Sequence, residues 1–297
     1  MCKDISMSII DPSEKIRKVE LSPPDPTWPH CFNETVSEIK VILQDNCLEV
    51  HHIGSTAISG IYAKPIIDVL VVVKNIKSID SLNSAFEAHG YICMGEYGIT
   101  GRRFYWKSRT NRTHNIHVFE KGSPEINRHI AFRDFMREHK NHAKAYSTIK
   151  RCLAKVFTED IENYVDGKAS FVQMIDYKTG TARNKQLKAK DNFSVQAHDP
   201  IWTKLAQAEI NAFTILASDL PFKSIEHTGS TSTPGQSSEP IIEVSISISS
   251  LKNTEPWIAL LDSMGYTLKD PTEGPLCFIK GMPPHGEKRT HIIYLSE

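Results

Sequence analysis

His52-Ile53-Gly54-Ser55-Thr56, followed by Lys64-Pro65-Ile66-Ile67-Asp68, returns later in the chain as His227-Thr228-Gly229-Ser230-Thr231, followed by Glu239-Pro240-Ile241-Ile242-Glu243. His227 stands 175 residues after His52, and Glu243 stands 175 after Asp68, so both copies keep one internal spacing. Each reads as a short apolar strand, a Gly-Ser turn and a second strand that carries a carboxylate. A strand-turn-strand unit bearing chemistry has been duplicated, and the copies differ at the residues that would decide the chemistry.

Working outward, Asp25-Pro26-Thr27-Trp28 opens a helix whose apolar residues Trp28, Phe32, Val36, Ile39 and Leu43 form one stripe. Asp199-Pro200-Ile201-Trp202 opens its counterpart, with Trp202, Ala206, Ile210, Phe213 and Ala217 at the same steps. Pro near the start and Asp before it are helix-entry chemistry. Strands are predicted at 48–53 and 222–226, then at 65–73 and 240–248, the latter pair rich in β-branched residues that suit a buried sheet position. Helices at 78–89 and 255–264 follow, and strands near 103–106 and 113–119 close the first copy. Arg112-Thr113-His114-Asn115-Ile116-His117 aligns with Arg289-Thr290-His291-Ile292-Ile293-Tyr294, so the last strand is repeated too. The expected fold is α+β: two tandem units, each a small mixed β-sheet with packed helices.

Three further helices are predicted at 124–139, 140–157 and 158–178, and they are grouped with the first copy. The resulting organisation is a first domain at 1–178, a polar linker at 179–192 and a truncated repeat at 193–297. The chain is 40% hydrophobic and 24% charged over 297 residues, enough for two cores. Lys+Arg and Asp+Glu number 35 each, so no global field recruits nucleic acid or a membrane surface. The six cysteines contain no C-x-x-C pair, which suits a reducing compartment and argues against a zinc-cysteine site. With no run approaching about 20 apolar residues, no membrane partner is expected, and the cytoplasm is the default location.

Asp25-Pro-x-Trp28, His52-Ile-Gly-Ser-Thr56, Lys64-Pro-Ile-Ile-Asp68, Thr113-His-x-Ile-His117-Val, Arg128-His-Ile-Ala-Phe-Arg-Asp-Phe135 and Tyr146-x-x-x-Lys150 together resemble the GrpB family over about residues 20–175. Residues 193–297 look like a degenerate second copy. The resemblance implies a nucleotidyltransferase-like fold, in a family sometimes fused to dephospho-CoA kinase. One departure is Ile58-Ser59-Gly60 where the family often has Val-Pro-Gly; the second copy keeps that proline as Pro234.

Nucleotidyl transfer needs a turn that lets a triphosphate approach the backbone, and carboxylates that hold Mg²⁺ or Mn²⁺. Gly54, Ser55, Thr56 and Lys64 are the candidate phosphate contacts, with Asp68 as the candidate catalytic carboxylate and metal ligand. The superfamily pattern places a second acid two positions after the first, and here that position is Leu70. Histidine is the candidate replacement: His52 and Ser55 in a catalytic role, with His114 and His117 as metal ligands. An odd spacing puts His114 and His117 on opposite faces of a regular strand, so only one of them can join Asp68. For each histidine, a half-buried side chain bonded to backbone is the competing reading. Arg103, Arg128, Arg133, Tyr146 and Lys150 complete the expected nucleotide contacts.

Two functions follow. One is a metal-dependent nucleotidyltransferase using a nucleoside triphosphate on a small-molecule or protein acceptor. The other is a non-catalytic nucleotide- or metal-binding protein, a monomer whose duplicated half makes an intramolecular pseudo-dimer. In the second copy Lys64 becomes Glu239, a charge reversal that repels phosphate.

Overall fold

Asp25 accepts hydrogen bonds from the Thr27 amide (2.8 Å) and hydroxyl (2.7 Å), and Pro29 lies in the first turn, so the chain enters α1 (Trp28–Leu43) as its sequence predicts. The computed structural model describes residues 18–108, 112–183, 194–269, 275–281 and 290–297. After α1 come β1 (Cys47–Ile53), a 3₁₀ turn (Ser55–Ala57), β2 (Ile67–Val73), α2 (Asn83–Ala88), β3 (Tyr91–Cys93), β4 (Arg103–Lys107), β5 (His114–Glu120) and α3 (Pro124–Glu138). The sheet order is β1-β2-β5-β4-β3, with β2 and β5 parallel and the other pairs antiparallel.

Residue parity sorts the two faces of this sheet. Val69, Val71, Val73, Ile116, Val118 and Tyr105 pack with Trp28, Ile39, Leu43 and Phe86 of α1 and α2. Leu70, Ile53 and Phe119 point the other way, against Ile126 and Ile130 of α3 and Ile99 of the loop between β3 and β4. β2 is covered on both sides, which is why its run of Val and Leu is nearly continuous.

The second unit repeats the sheet. α4 (Lys140–Val156), α5 (Ile161–Gly167), α6 (Ala169–Lys178) and α7 (Ile201–Leu216) precede β6 (Phe222–Thr228), β7 (Ile242–Ile248), α8 (Glu255–Ser263), β8 (Thr267–Leu268), β9 (Leu276–Lys280) and β10 (His291–Ser296), in the order β6-β7-β10-β9-β8. β7 alternates: Ile242, Val244, Ile246 and Ile248 are buried, while Glu243, Ser245 and Ser247 are partly exposed. The positions that seat α3 in the first sheet, Ile53, Leu70 and Phe119, are Thr228, Ser245 and Ser296 here. That face has no apolar seat for a helix, so its strand pattern is one-sided.

By contacts within the chain, the helices that follow Glu138 group with the second sheet. Two compact units meet between Glu138 and His139, so α3 stays with the first sheet while α4, α5 and α6 belong to the second. α4 packs on α7. Counting from the paired tryptophans, α7 has the buried Ala208 and Ala212 where α1 has Glu34 and Glu38. The region expected as one helix at 158–178 is two, because Asp160 caps α5 by accepting from the Asn163 amide (3.0 Å) and a break at Lys168 starts α6. Residues 184–192 of the expected linker and Arg289 lie outside the described residues.

Candidate functional site

Gly54 has φ +69, a left-handed conformation that strains any L side chain, and it turns the chain from β1 into the 3₁₀ turn. A β-carbon there would stand 2.3 Å from Asp68 Oδ2, so the carboxylate rests directly on the glycine backbone. This seat is built by pairing: Ile53 lies opposite Asp68 across β1 and β2. Asp68 Oδ1 accepts from Asn115 Nδ2 (2.8 Å), and His117 Nε2 lies 3.9 Å from the same oxygen. Burial pushes the Asp68 carboxyl up, but the nearby His117, the Asn115 hydrogen bond and the Lys64 charge outweigh it, leaving it below the usual carboxylate range. The carboxyl is ionised and about a quarter of its side chain remains exposed.

The β2–β5 register decides which strand-five residues meet Asp68. Asp68 lies opposite Asn115, and residues 115 and 117 therefore share its face. His114 is on the other face, beside Glu38 and Lys107, with its Nδ1 2.9 Å from the Thr113 hydroxyl. His114 is thus not a ligand partner of Asp68. His52 is corrected for the same reason of parity. It points to the α1 side, stacks on Phe32 (4.8 Å between centroids) and places Nε2 3.0 Å from the Thr56 hydroxyl. Thr56 in turn donates to the Ile66 carbonyl (3.2 Å). His52 and Thr56 therefore tie the turn to the start of β2, and the same pair recurs as His227 and Thr231 at 3.0 Å. Burial, with Arg137 and Arg133 nearby, lowers the His52 pKa to about 4 despite the opposing pull of Asp68, so it is neutral at pH 7.

Two arginines of α3 reach the carbonyls around the turn. Arg133 donates to His52 O (3.1 Å) and Arg137 to Ala57 O (2.9 Å). They follow the helix spacing of four, so both lie on one side of α3. Arg128 is paired with Glu125 (3.4 Å), one turn back on the same helix. Arg103 is removed from the site by strand parity, because Asp80 on the opposite face holds its guanidinium (Nη2–Oδ2 2.8 Å). Tyr146 and Lys150 lie in the other compact unit, where both are buried; Tyr146 stacks on Phe171 (4.9 Å) and Lys150 Nζ sits 4.6 Å over the Tyr146 ring. Ser55 is half-buried in the turn and Lys64 just precedes β2.

The donor set does not fit a protein-held Mg²⁺ or Mn²⁺. Leu70, where a second acid would stand, is fully buried with Ile53 and Phe119, and no group of three His, Cys, Asp or Glu arranged for a metal occurs among the described residues. Among the described residues, no helix is long and apolar enough to cross a membrane. In the second copy Asp68, Asn115 and His117 become Glu243, Ile292 and Tyr294, so only the carboxylate and the turn survive.

Asn115 and Arg137 are the site residues that motif reading passed over. Even spacing from His117 signals the first, and the four-residue step from Arg133 signals the second. Arg102 closes the group: buried, it donates to the carbonyls of Glu96 (3.1 Å) and Tyr97 and faces His117 Nδ1 (3.3 Å).

With this geometry in place, comparison with known proteins is informative. The GrpB protein family matches residues 18–178 and again 192–297. YqkA of Bacillus subtilis is 40% identical over 157 residues, which are 53% of this chain and 46% of that protein. The glutamate-rich protein GrpB of Alkalihalophilus pseudofirmus is 32% identical over 153 residues, 50% of this chain and 88% of its own. The crystal structure of conserved protein GrpB from Enterococcus faecalis superposes with a TM-score of 0.52 at 40% identity, covering 54% of this chain and 96% of that one. The chain thus spans about half the length of YqkA and nearly all of the E. faecalis structure.

Proposed function

Because this chain belongs to the GrpB family, with two copies of the family's fold, we propose that its first copy is a nucleotide-binding module that recognises the phosphates at the Gly54–Thr56 turn without a metal centre of its own. Lys64, Arg133 and Arg137 lie around the turn; Asp134 pairs with Arg133 (2.7 Å) and stands 3.8 Å from Arg137, so the two arginines with this one carboxylate leave a single positive charge beside that of Lys64. The two arginines also help keep the His52 imidazole unprotonated. The observation that carries the reading is Leu70. A metal-dependent transfer distributes phosphoryl charge over cations held by at least two carboxylates, and the second position is an apolar residue locked into the core. Of the two functions the motifs allow, binding without transfer is the one these side chains support.

The test is equilibrium binding of ATP, GTP, CTP and UTP, with EDTA or with Mg²⁺ and Mn²⁺, beside an assay for pyrophosphate release. Binding is expected to persist in EDTA, and no pyrophosphate is expected. Lys64→Ala should weaken binding about tenfold, equivalent to about 1.4 kcal/mol. Asp68→Asn removes a negative charge beside the phosphates, so it should bind as tightly or more tightly. Binding that requires a divalent cation and disappears in Asp68→Asn, or pyrophosphate release abolished by that variant, would establish the transferase instead. Absence of binding by every nucleotide would reject the site.

A further inference from the structure

The face that carries Asp68 continues across the sheet into an aromatic shelf. Register places Asn115 opposite Asp68 and Trp106 opposite Asn115, so the three form one row pointing to one side. Two strand spacings separate the backbones of Asp68 and Trp106, about 10 Å. Phe104 lies in the next row, opposite His117, with their rings 5.0 Å apart. Above this row the loop between β3 and β4 folds back, anchored by Ile99 against Leu70 and Phe119. Its Tyr97 stacks on Phe104 (5.2 Å, 17°) and meets Trp106 edge-on (5.6 Å).

Three features make Tyr97 a presented ring rather than a packing residue. It is 46% exposed, although it sits on two buried aromatics. Its φ of +43 is a left-handed conformation that an aromatic residue adopts only when its surroundings impose it. The imposing group is Arg102, whose buried guanidinium binds the Tyr97 and Glu96 carbonyls and lies 4.6 Å over Phe104. Trp106 is unavailable as an alternative platform, since the Arg112 guanidinium covers its ring at 3.6 Å.

We propose that Tyr97 is the nucleobase platform of the first copy: a nucleotide lies along the row from the Gly54 turn to Tyr97, phosphates at the turn and base stacked on the exposed ring. The two strand spacings from Asp68 to Trp106, against which Tyr97 packs, are comparable to the reach from a base to its outer phosphates, and Asn115 stands midway in the row, beneath the sugar. Stacking on an aromatic ring selects for a flat base with little regard to its hydrogen-bonding edge. The ligand class is therefore nucleoside triphosphates generally, purines preferred for their larger π-surface. The assignment rests on the nucleotide-binding reading above.

The experiment compares ATP, GTP, CTP and UTP with inorganic tripolyphosphate, which has the charge but no base, in EDTA. Wild type is expected to bind the purine nucleotides more tightly than tripolyphosphate. Tyr97→Ala should weaken nucleotide binding by on the order of 10-fold and leave tripolyphosphate unchanged. Tyr97→Gly, which suits the backbone conformation, should behave like Tyr97→Ala, and Tyr97→Phe should retain wild-type affinity. If tripolyphosphate and nucleotides bind wild type equally, or if Tyr97→Gly weakens both alike, the base platform is refuted while phosphate binding stands. If neither ligand binds wild type, the nucleotide-binding reading fails and the platform falls with it.

Discussion

The Asp68 carboxylate occupies the space a β-carbon of Gly54 would need, with Oδ2 2.3 Å and Cβ 2.9 Å from that position. The second copy keeps the relationship with a longer side chain: at Gly229 the corresponding contact is Glu243 Cδ, at 2.7 Å. Asp68 meets the glycine with its own Cβ, which the strand holds, whereas Glu243 meets it with the tip of a flexible chain. The turn and the carboxylate are one unit in the first copy and a loose pair in the second.

Gly54→Ala should therefore cost more than Gly229→Ala. Both place an L residue at positive φ with extended ψ, a region nearly reserved for glycine, at a cost of about 1–3 kcal/mol. Only the first must also displace Asp68 and with it the Asn115 hydrogen bond. Urea unfolding of the two variants checks this, each judged on its own transition because two units need not unfold together. Equal losses would show that Asp68 yields as readily as Glu243.

Acid should destabilise the protein through histidines shielded from water, His52 and His291 buried and His129 half-buried. His52, His129 and His291 each have their pKa lowered to about 4, with burial the largest cause in every case. A group whose folded pKa lies below its unfolded value binds protons more readily when unfolded. Its contribution is complete above about 6.5 and is lost as pH falls toward 4, up to about 3 kcal/mol per histidine. Melting temperature measured from pH 7 to 4 should fall through this window, and His129→Gln should flatten the decline in the first unit. A flat profile would contradict the shielded neutral imidazoles.

A buried ion pair separates the two copies. Glu209 accepts from Lys280 (2.7 Å) and Tyr266 (2.8 Å), with Lys280 2% and Glu209 7% exposed. Glu38 accepts from Lys107 (2.9 Å) and Tyr91 (2.7 Å), but that pair is about a third exposed. Lys280→Met should cost about 3–5 kcal/mol by stranding the Glu209 charge. Lys107→Met should cost about 1 kcal/mol or less, because water solvates Glu38. Adding Glu209→Gln to Lys280→Met should recover most of the loss, and a double-mutant cycle in urea measures it.

Alternation and spacing made much of this architecture readable. The β-branched runs at 65–73 and 240–248 both announced buried strands, and the structure bears this out on both faces of β2 but on only one face of β7, where Glu243, Ser245 and Ser247 are partly exposed. The odd step between His114 and His117 showed that one of them must leave the site. It could not say which, because that depends on the neighbour opposite each residue. His52 misled for a related reason: adjacency to the Gly-Ser turn in the chain is not adjacency to Asp68 across the pleat, and its actual bond is to Thr56.

The order of residues alone determined the duplication, the strands and helix around each Gly-Ser turn, and the isolation of Asp68 as the strand's single acid, since these are local properties of period and composition. Which side chains share a face with that acid was decided only in three dimensions, by the pairing of Ile53 and Asn115 with Asp68. The allegiance of α4, α5 and α6 was decided there too, by the packing of α4 on α7. Both outcomes are set by contacts between segments far apart in the chain, and no window of neighbouring residues contains them.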